Sequence, residues 1–130
     1  DKQTILNVVD SSSYIKVKDL VFDTLDNLLS SPEQAIYFVE THIIPELKDK
    51  VAVRLYLDIL SCAFKDIMNI KFNLPLIISS QKEFSSLSQK LSNIDECYKE
   101  IMLTRGKIES NVNLGLLLEH IFIFISNGGH

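Results

Sequence analysis

Apolar residues recur mainly at intervals of three and four along this chain of 130 residues, and strand-like alternation with a period of two is nearly absent. Spacing of this kind is typical of helices that bury one side and expose the other. The chain has only four glycines and three prolines to interrupt such helices. The pattern therefore predicts an all-α fold.

The first third of the chain predicts two helices. Residues 16–29 carry valines and leucines on one side and lysine and aspartate on the other, which indicates a surface helix with one buried stripe. Ser31, Pro32 and Gln34 combine an N-cap, a proline at the first helical position and a capping-box partner, so a second helix is predicted to begin there. Pro45 should break that helix within the three preceding residues, because proline lacks an amide donor and clashes with the preceding turn.

The longest helix is predicted over residues 50–71 and is expected at the centre of the fold. Apolar side chains occupy most of its surface, and its polar residues form one narrow stripe at helical spacing. That stripe consists of Arg54, Asp58, Ser61, Lys65 and Asn69.

Two more helices are predicted over residues 80–91 and 93–109, each opened by a capping box. The apolar stretch 76–78 before them is interpreted as a buried connector. Gly106 indicates either close packing or an early end of the second helix, because glycine weakens a helix by about 1 kcal/mol relative to alanine. The apolar stripe of this helix is predicted to consist of Cys97, Tyr98, Ile101, Met102 and Ile108.

The last helix, predicted from Asn113 as N-cap to Ile125, is apolar almost all the way round. Between residues 114 and 125 only Glu119 and His120 are charged or titratable, and they mark its wettest edge. A dozen residues cannot cross a bilayer, which takes roughly 20. The helix must therefore be buried against protein, either as the central helix of the bundle or against a neighbouring subunit.

We expect this domain to be too small to cover every side of the last helix, so part of that helix becomes the candidate subunit contact. The side chains predicted to form this contact are Leu117, Leu118, Ile121, Phe122 and Phe124.

Composition argues against nucleic acid as the main partner. The chain has 13 basic and 17 acidic residues, for a net charge of -4, and so lacks the basic footprint of a nucleic-acid binder. Lys48, Lys50 and Arg54 are interspersed with acids, so any nucleic-acid contact is at most auxiliary. The chain has no apolar span long enough to predict a membrane partner.

Residue spacing gives no signal of catalysis. His42, His120 and His130 do not share a helical face with other ligands, and no glycine-rich loop precedes a Lys-Ser or Lys-Thr pair. Cys62 and Cys97 are interpreted as buried free thiols. We therefore predict no catalytic residues, no metal site and no cofactor.

The chain begins with Asp1 and shows no leader pattern, so we expect a fragment of a larger cytosolic protein. Residues 1–13 are interpreted as a linker or the end of a preceding module, residues 14–126 as the helical domain, and residues 127–130 as a disordered tail.

Three segments resemble the C-terminal domain of the bacterial DNA polymerase III delta-prime subunit. They are residues 55–71, 101–105 and 111–119. The family places Asn, an apolar residue and Asn before a leucine-rich final helix that contains a glutamate. Asn111, Val112, Asn113 and Glu119 match this pattern, whereas Leu114 stands where the family often has proline.

The resemblance implies a collar domain of about five to six helices, one of five that hold the clamp-loader subunits in a ring. Its partners would be the gamma or tau and delta subunits, in the bacterial cytoplasm. The parent protein would take part in ATP-driven loading of the sliding clamp in DNA replication, as a non-catalytic part of the DNA polymerase III holoenzyme, with the AAA+ modules upstream. A gamma or tau collar, or a stand-alone helical adaptor that captures a partner helix, are the alternatives.

Overall fold

The computed structural model describes residues 11–30, 34–71, 91, 93–110 and 113–127. In these ranges the chain forms helices joined by turns and short irregular segments, and it forms no strand, which confirms the all-α prediction. The described helices are α1 (Ser11–Ser30), α2 (Ala35–Phe38), α3 (Lys50–Lys71), α4 (Ile94–Gly106) and α5 (Leu114–Ser126). The predicted connector 76–78, nearly all of the predicted helix 80–91 and the predicted cap residues Ser31 and Pro32 lie outside the described residues.

Helix α1 begins at Ser11, five residues before the predicted start. Placing residues 11–13 in a linker was therefore wrong. The buried side of the helix already starts at Tyr14, which lies three residues before Val17 and extends the apolar stripe by one turn. Thr24 is also fully buried, and its hydroxyl donates to the carbonyl of Leu20 at 2.8 Å and lies 2.8 Å from the hydroxyl of Tyr56 in α3.

Helix α2 changes its winding as it approaches Pro45. It continues as a π-helical segment, Val39–Ile43, and then as a 3-10 turn, Ile44–Glu46. In a regular α-helix the ring of Pro45 would meet the carbonyl of Thr41, four residues earlier, and the wider π turn relieves that clash. The predicted interruption before Pro45 is confirmed.

Helix α3 has the predicted bounds and lies at the centre of the bundle. α1 packs on one flank and α4 on the other, while α5 packs on α4 and on α2 with its π segment. The ring of Phe122 in α5 meets Tyr56 of α3 edge to face, with centroids 6.5 Å apart. The fully buried core side chains of α3 include Val53, Tyr56, Leu57, Ile59, Leu60, Phe64 and Ile67.

Two ion pairs join α3 to α4 and its C-terminal turn. Arg105 binds Asp58 with both ends of its guanidinium, Nε to Oδ1 and Nη2 to Oδ2, the second at 3.3 Å. Arg54 pairs with Glu109. The predicted polar stripe of α3 is therefore not wholly a solvent face, because its N-terminal part lies beside α4.

Two predictions about α4 were wrong: the membership of its apolar stripe and the capping box at its start. Its buried side consists of Ile94, Cys97, Ile101 and Thr104, continued by Ile108, whereas Met102 is 42% exposed. The side chain of Asn93 makes no capping hydrogen bond, and Glu96 instead pairs with Lys99 at 3.3 Å. The buried residues follow one another at intervals of three and four, so the buried side of α4 includes the short Thr104 and leaves out Met102.

We expect the Gly106→Ala variant to raise the free energy of unfolding by about 0.5 kcal/mol, because alanine is the better helix former and no atom lies within 4 Å of the added methyl group. Urea denaturation measures the change. Gly115→Ala is the matched control, since its methyl group would meet the capping oxygen of Asn113 at 3.2 Å. An equal rise in the free energy of unfolding of both variants would contradict this difference between the two glycines.

Candidate protein contact surface

The start of α5 is fixed by a side-chain cap. Asn113 has an extended backbone, with φ -78° and ψ 116°, and its Oδ1 accepts a hydrogen bond from the amide of Leu116 at 3.0 Å. This is the N-cap geometry predicted for Asn113. Of the other residues in the family pattern, Glu119 lies half-buried on α5, and Asn111 and Val112 lie outside the described residues.

The inner side of α5 is covered by the chain itself. Leu118, Ile121 and Phe122, three of the five predicted contact residues, are at most 1% exposed. A partner docked on the outside of the domain would not touch them. Leu117 and Phe124, the other two, are partly buried against the core. The composition of a helix that is apolar all round does not tell which side turns inward, and three of the five predicted contact residues lie on the inward side.

The outer side of α5 remains open to solvent. Leu116 is 62% and Ile123 46% exposed, and His120 lies between them, one turn from each. We call Leu116, His120 and Ile123 the outer stripe. Sequence reasoning missed both apolar members, although the position of His120 on the wettest edge was the signal that could have found them.

Helix α4 extends this surface. Oε1 of Glu100 lies 2.7 Å from Nε2 of His120, which links the helices at the surface. Leu103 lies one turn after Glu100 on the same side of α4 and is 62% exposed. We call the outer stripe together with Glu100 and Leu103 the α4–α5 patch. It places three apolar side chains around one polar pair, an arrangement suited to contact with protein.

A concave feature lies between α1 and the π segment. It is an open groove of about 410 Å³ whose polar lining includes Asp23, Asp26, His42 and Glu46. The ring of His42 stacks on Phe38, with centroids 4.7 Å apart, and its Nδ1 lies 2.7 Å from the hydroxyl of Thr41. Across the described ranges, no three His, Cys, Asp or Glu side chains are grouped closely enough to hold a metal ion.

The two cysteines are free thiols of low reactivity. Cys97 is buried, and burial, with the nearby carboxylates of Asp95 and Glu96, raises its pKa to about 11. Burial likewise raises the pKa of the half-buried Cys62. Because the thiolate is the nucleophile, both side chains are poor nucleophiles at neutral pH. The expected burial is confirmed for Cys97 and is partial for Cys62.

Comparison of this chain with known proteins finds no related protein. No protein-family model matches the sequence, and neither the curated proteins nor the solved structures include a significant match. None of the helices described above combines the length and the apolar character that crossing a membrane requires.

Proposed function

We propose that this domain is a subunit-contact domain, the C-terminal collar of a bacterial DNA polymerase III delta-prime subunit. In this role it binds the gamma or tau and delta subunits in the bacterial cytoplasm, and the assembled clamp loader places sliding clamps on DNA in replication. The observation that carries the proposal is the α4–α5 patch, where Leu103, Leu116 and Ile123 stay exposed on helices whose other sides form the core.

The segments that carry the resemblance support the same reading. Residues 55–71 lie in α3, residues 101–105 lie in α4, and residues 113–119 form the N-cap and the first turns of α5. These helices supply the centre of the core, the two ion pairs and the α4–α5 patch. The resemblance as a whole covers roughly residues 16–125, and these three segments carry its most specific part.

The mechanism we propose for such a domain is mechanical. A stable contact between collars keeps the attached modules close together, which raises their effective concentration without any chemical step in the collar. The bidentate Arg105–Asp58 pair and the pair between Arg54 and Glu109 hold α4 to α3, so the patch is presented on a fixed support.

The test is association of the intact parent protein with gamma or tau and delta, followed by size-exclusion chromatography and titration calorimetry. We expect Ile123→Asp or Leu116→Asp to weaken association by about 30-fold, the effect of a hot-spot residue. Ile15→Asp is the matched control, because Ile15 is a 56% exposed residue on α1, outside the patch. Equal loss in Ile15→Asp and Ile123→Asp, or no association of the wild-type protein, would reject the proposal.

The groove between α1 and the π segment favours a second candidate, a stand-alone adaptor that captures a helix of a partner. In that case Leu20→Asp in the groove, and not Ile123→Asp in the patch, would abolish binding of the partner. The same pair of variants therefore separates the two functions.

A further inference from the structure

The centre of the α4–α5 patch is polar, and its hydrogen bond fixes the chemistry of one side chain. Nε2 of His120 lies 2.7 Å from Oε1 of Glu100. The side chain of Glu100 is only 17% exposed, whereas that of His120 is 56% exposed. A carboxylate can only accept a hydrogen bond, so this contact with a neutral ring requires the proton on Nε2 of His120.

The other ring nitrogen is then an acceptor. A neutral imidazole has one donor and one acceptor nitrogen, and with Nε2 protonated the acceptor is Nδ1. In the part of the chain that the structure describes, Nδ1 of His120 accepts no hydrogen bond. Leu116 and Ile123 lie one turn to either side of His120, and Leu103 lies on α4, one turn from Glu100. The patch therefore surrounds an acceptor and an adjacent carboxylate with apolar surface.

We propose that the α4–α5 patch selects a helix of a neighbouring chain whose apolar face carries one lysine or arginine, which donates to Nδ1 of His120. This inference rests on the proposed contact function and adds the chemistry of the partner. A cationic donor would satisfy Nδ1 and also complement the charge of Glu100. A partner with a wholly apolar face would bury Nδ1 without a donor and the charge of Glu100 without a nearby cation, which penalises that partner.

The discriminating experiment replaces His120 in the intact protein and titrates each variant with the collar domain of the gamma or tau subunit. His120→Leu makes the patch more apolar but removes the acceptor, so we expect affinity to fall about tenfold or more. His120→Asn keeps an acceptor oxygen close to the position of Nδ1, and we expect it to bind within about threefold of the wild type. A patch that acts only through apolar contact would bind equally well or better in the His120→Leu variant.

Two more measurements keep the outcomes separate. Glu100→Gln still accepts from Nε2 but lacks the charge, so its affinity should be less sensitive to added salt than that of the wild type. Nitrogen NMR of the free protein at pH 8 reports the ring tautomer directly, and we expect the proton on Nε2.

Each result then decides one question. Failure of the wild-type protein to bind the collar rejects the proposed function and the inference together. Loss of binding in Ile123→Asp, with undiminished binding in His120→Leu, rejects the inference alone. A proton on Nδ1 in the free protein also rejects it, whatever the partner does.

Discussion

We expect Phe122→Asp to unfold the domain and the same change at the adjacent Ile123 to leave it folded. Phe122 is fully buried, and its ring packs edge to face against Tyr56. Removing a buried phenylalanine costs about 3–5 kcal/mol. The aspartate adds the penalty of a buried carboxylate, and the sum is comparable to the whole stability of a typical domain, about 5–15 kcal/mol.

The neighbouring position provides the control for this prediction. Ile123 is 46% exposed on the outer stripe, so its replacement should cost about 1–2 kcal/mol, well below the cost at Phe122. Circular dichroism and a urea titration of both variants are sufficient. A cooperative urea transition in Phe122→Asp, close to that of the wild type, would show that α5 does not face the core in the way described.

The second large effect is expected in alkaline solution. Burial raises the pKa of Cys97 from the ordinary value of 9.0 to about 11. Burial also raises the pKa of Tyr56 well above the usual 10, which its hydrogen bond to Thr24 offsets only in part. Both groups are neutral in the folded state, while in the unfolded chain they ionise at their ordinary values.

The raised pKa values of Cys97 and Tyr56 make the folded state less stable in alkaline solution. Above pH 9 the unfolded state binds fewer protons than the folded state, so the free energy of unfolding falls with pH. The contribution of Cys97 is complete below pH 9 and is lost as pH rises to about 11. At about 1.4 kcal/mol for each tenfold change in proton affinity, that loss is about 3 kcal/mol.

Urea midpoints between pH 7 and 12 measure this alkaline loss. We expect Cys97→Val to flatten the curve between pH 9 and 11 and Tyr56→Phe to flatten it above pH 10, whatever each variant does at neutral pH. Asp95→Asn is a useful control, since it removes only a secondary cause of the raised Cys97 pKa. A curve of Cys97→Val that runs parallel to that of the wild type would contradict the prediction.

The sequence predicted the helices well where local signals agreed with packing. The bounds of α3 were predicted from its narrow polar stripe and from the apolar positions around the rest of its surface. Asn113 was predicted as the cap of α5, because a short amide side chain at that position satisfies the amides of the first turn. These signals are local, so they can be recognised in the sequence without knowledge of the tertiary fold.

The orientation of α5 could not be predicted in the same way. With apolar residues on every side, the sequence offers no contrast that distinguishes Phe122, which is buried, from Ile123, which is exposed. Only the neighbours α2, α3 and α4 decide which side turns inward. The Glu100–His120 pair could not be predicted either, because its members lie 20 residues apart in sequence.

The charges between α3 and α4 also determine how these helices align. Arg54 and Asp58 lie one turn apart on α3, and Arg105 and Glu109 are spaced in the same way where α4 ends, so the antiparallel helices pair each cation with an anion. A slip of one turn in one direction would bring Arg54 beside Arg105, and a slip in the other direction would bring Asp58 beside Glu109. Like charges would then oppose each other in both mistaken alignments. These four charged residues therefore add to the packing of the apolar side chains in favouring one alignment of α4 on α3.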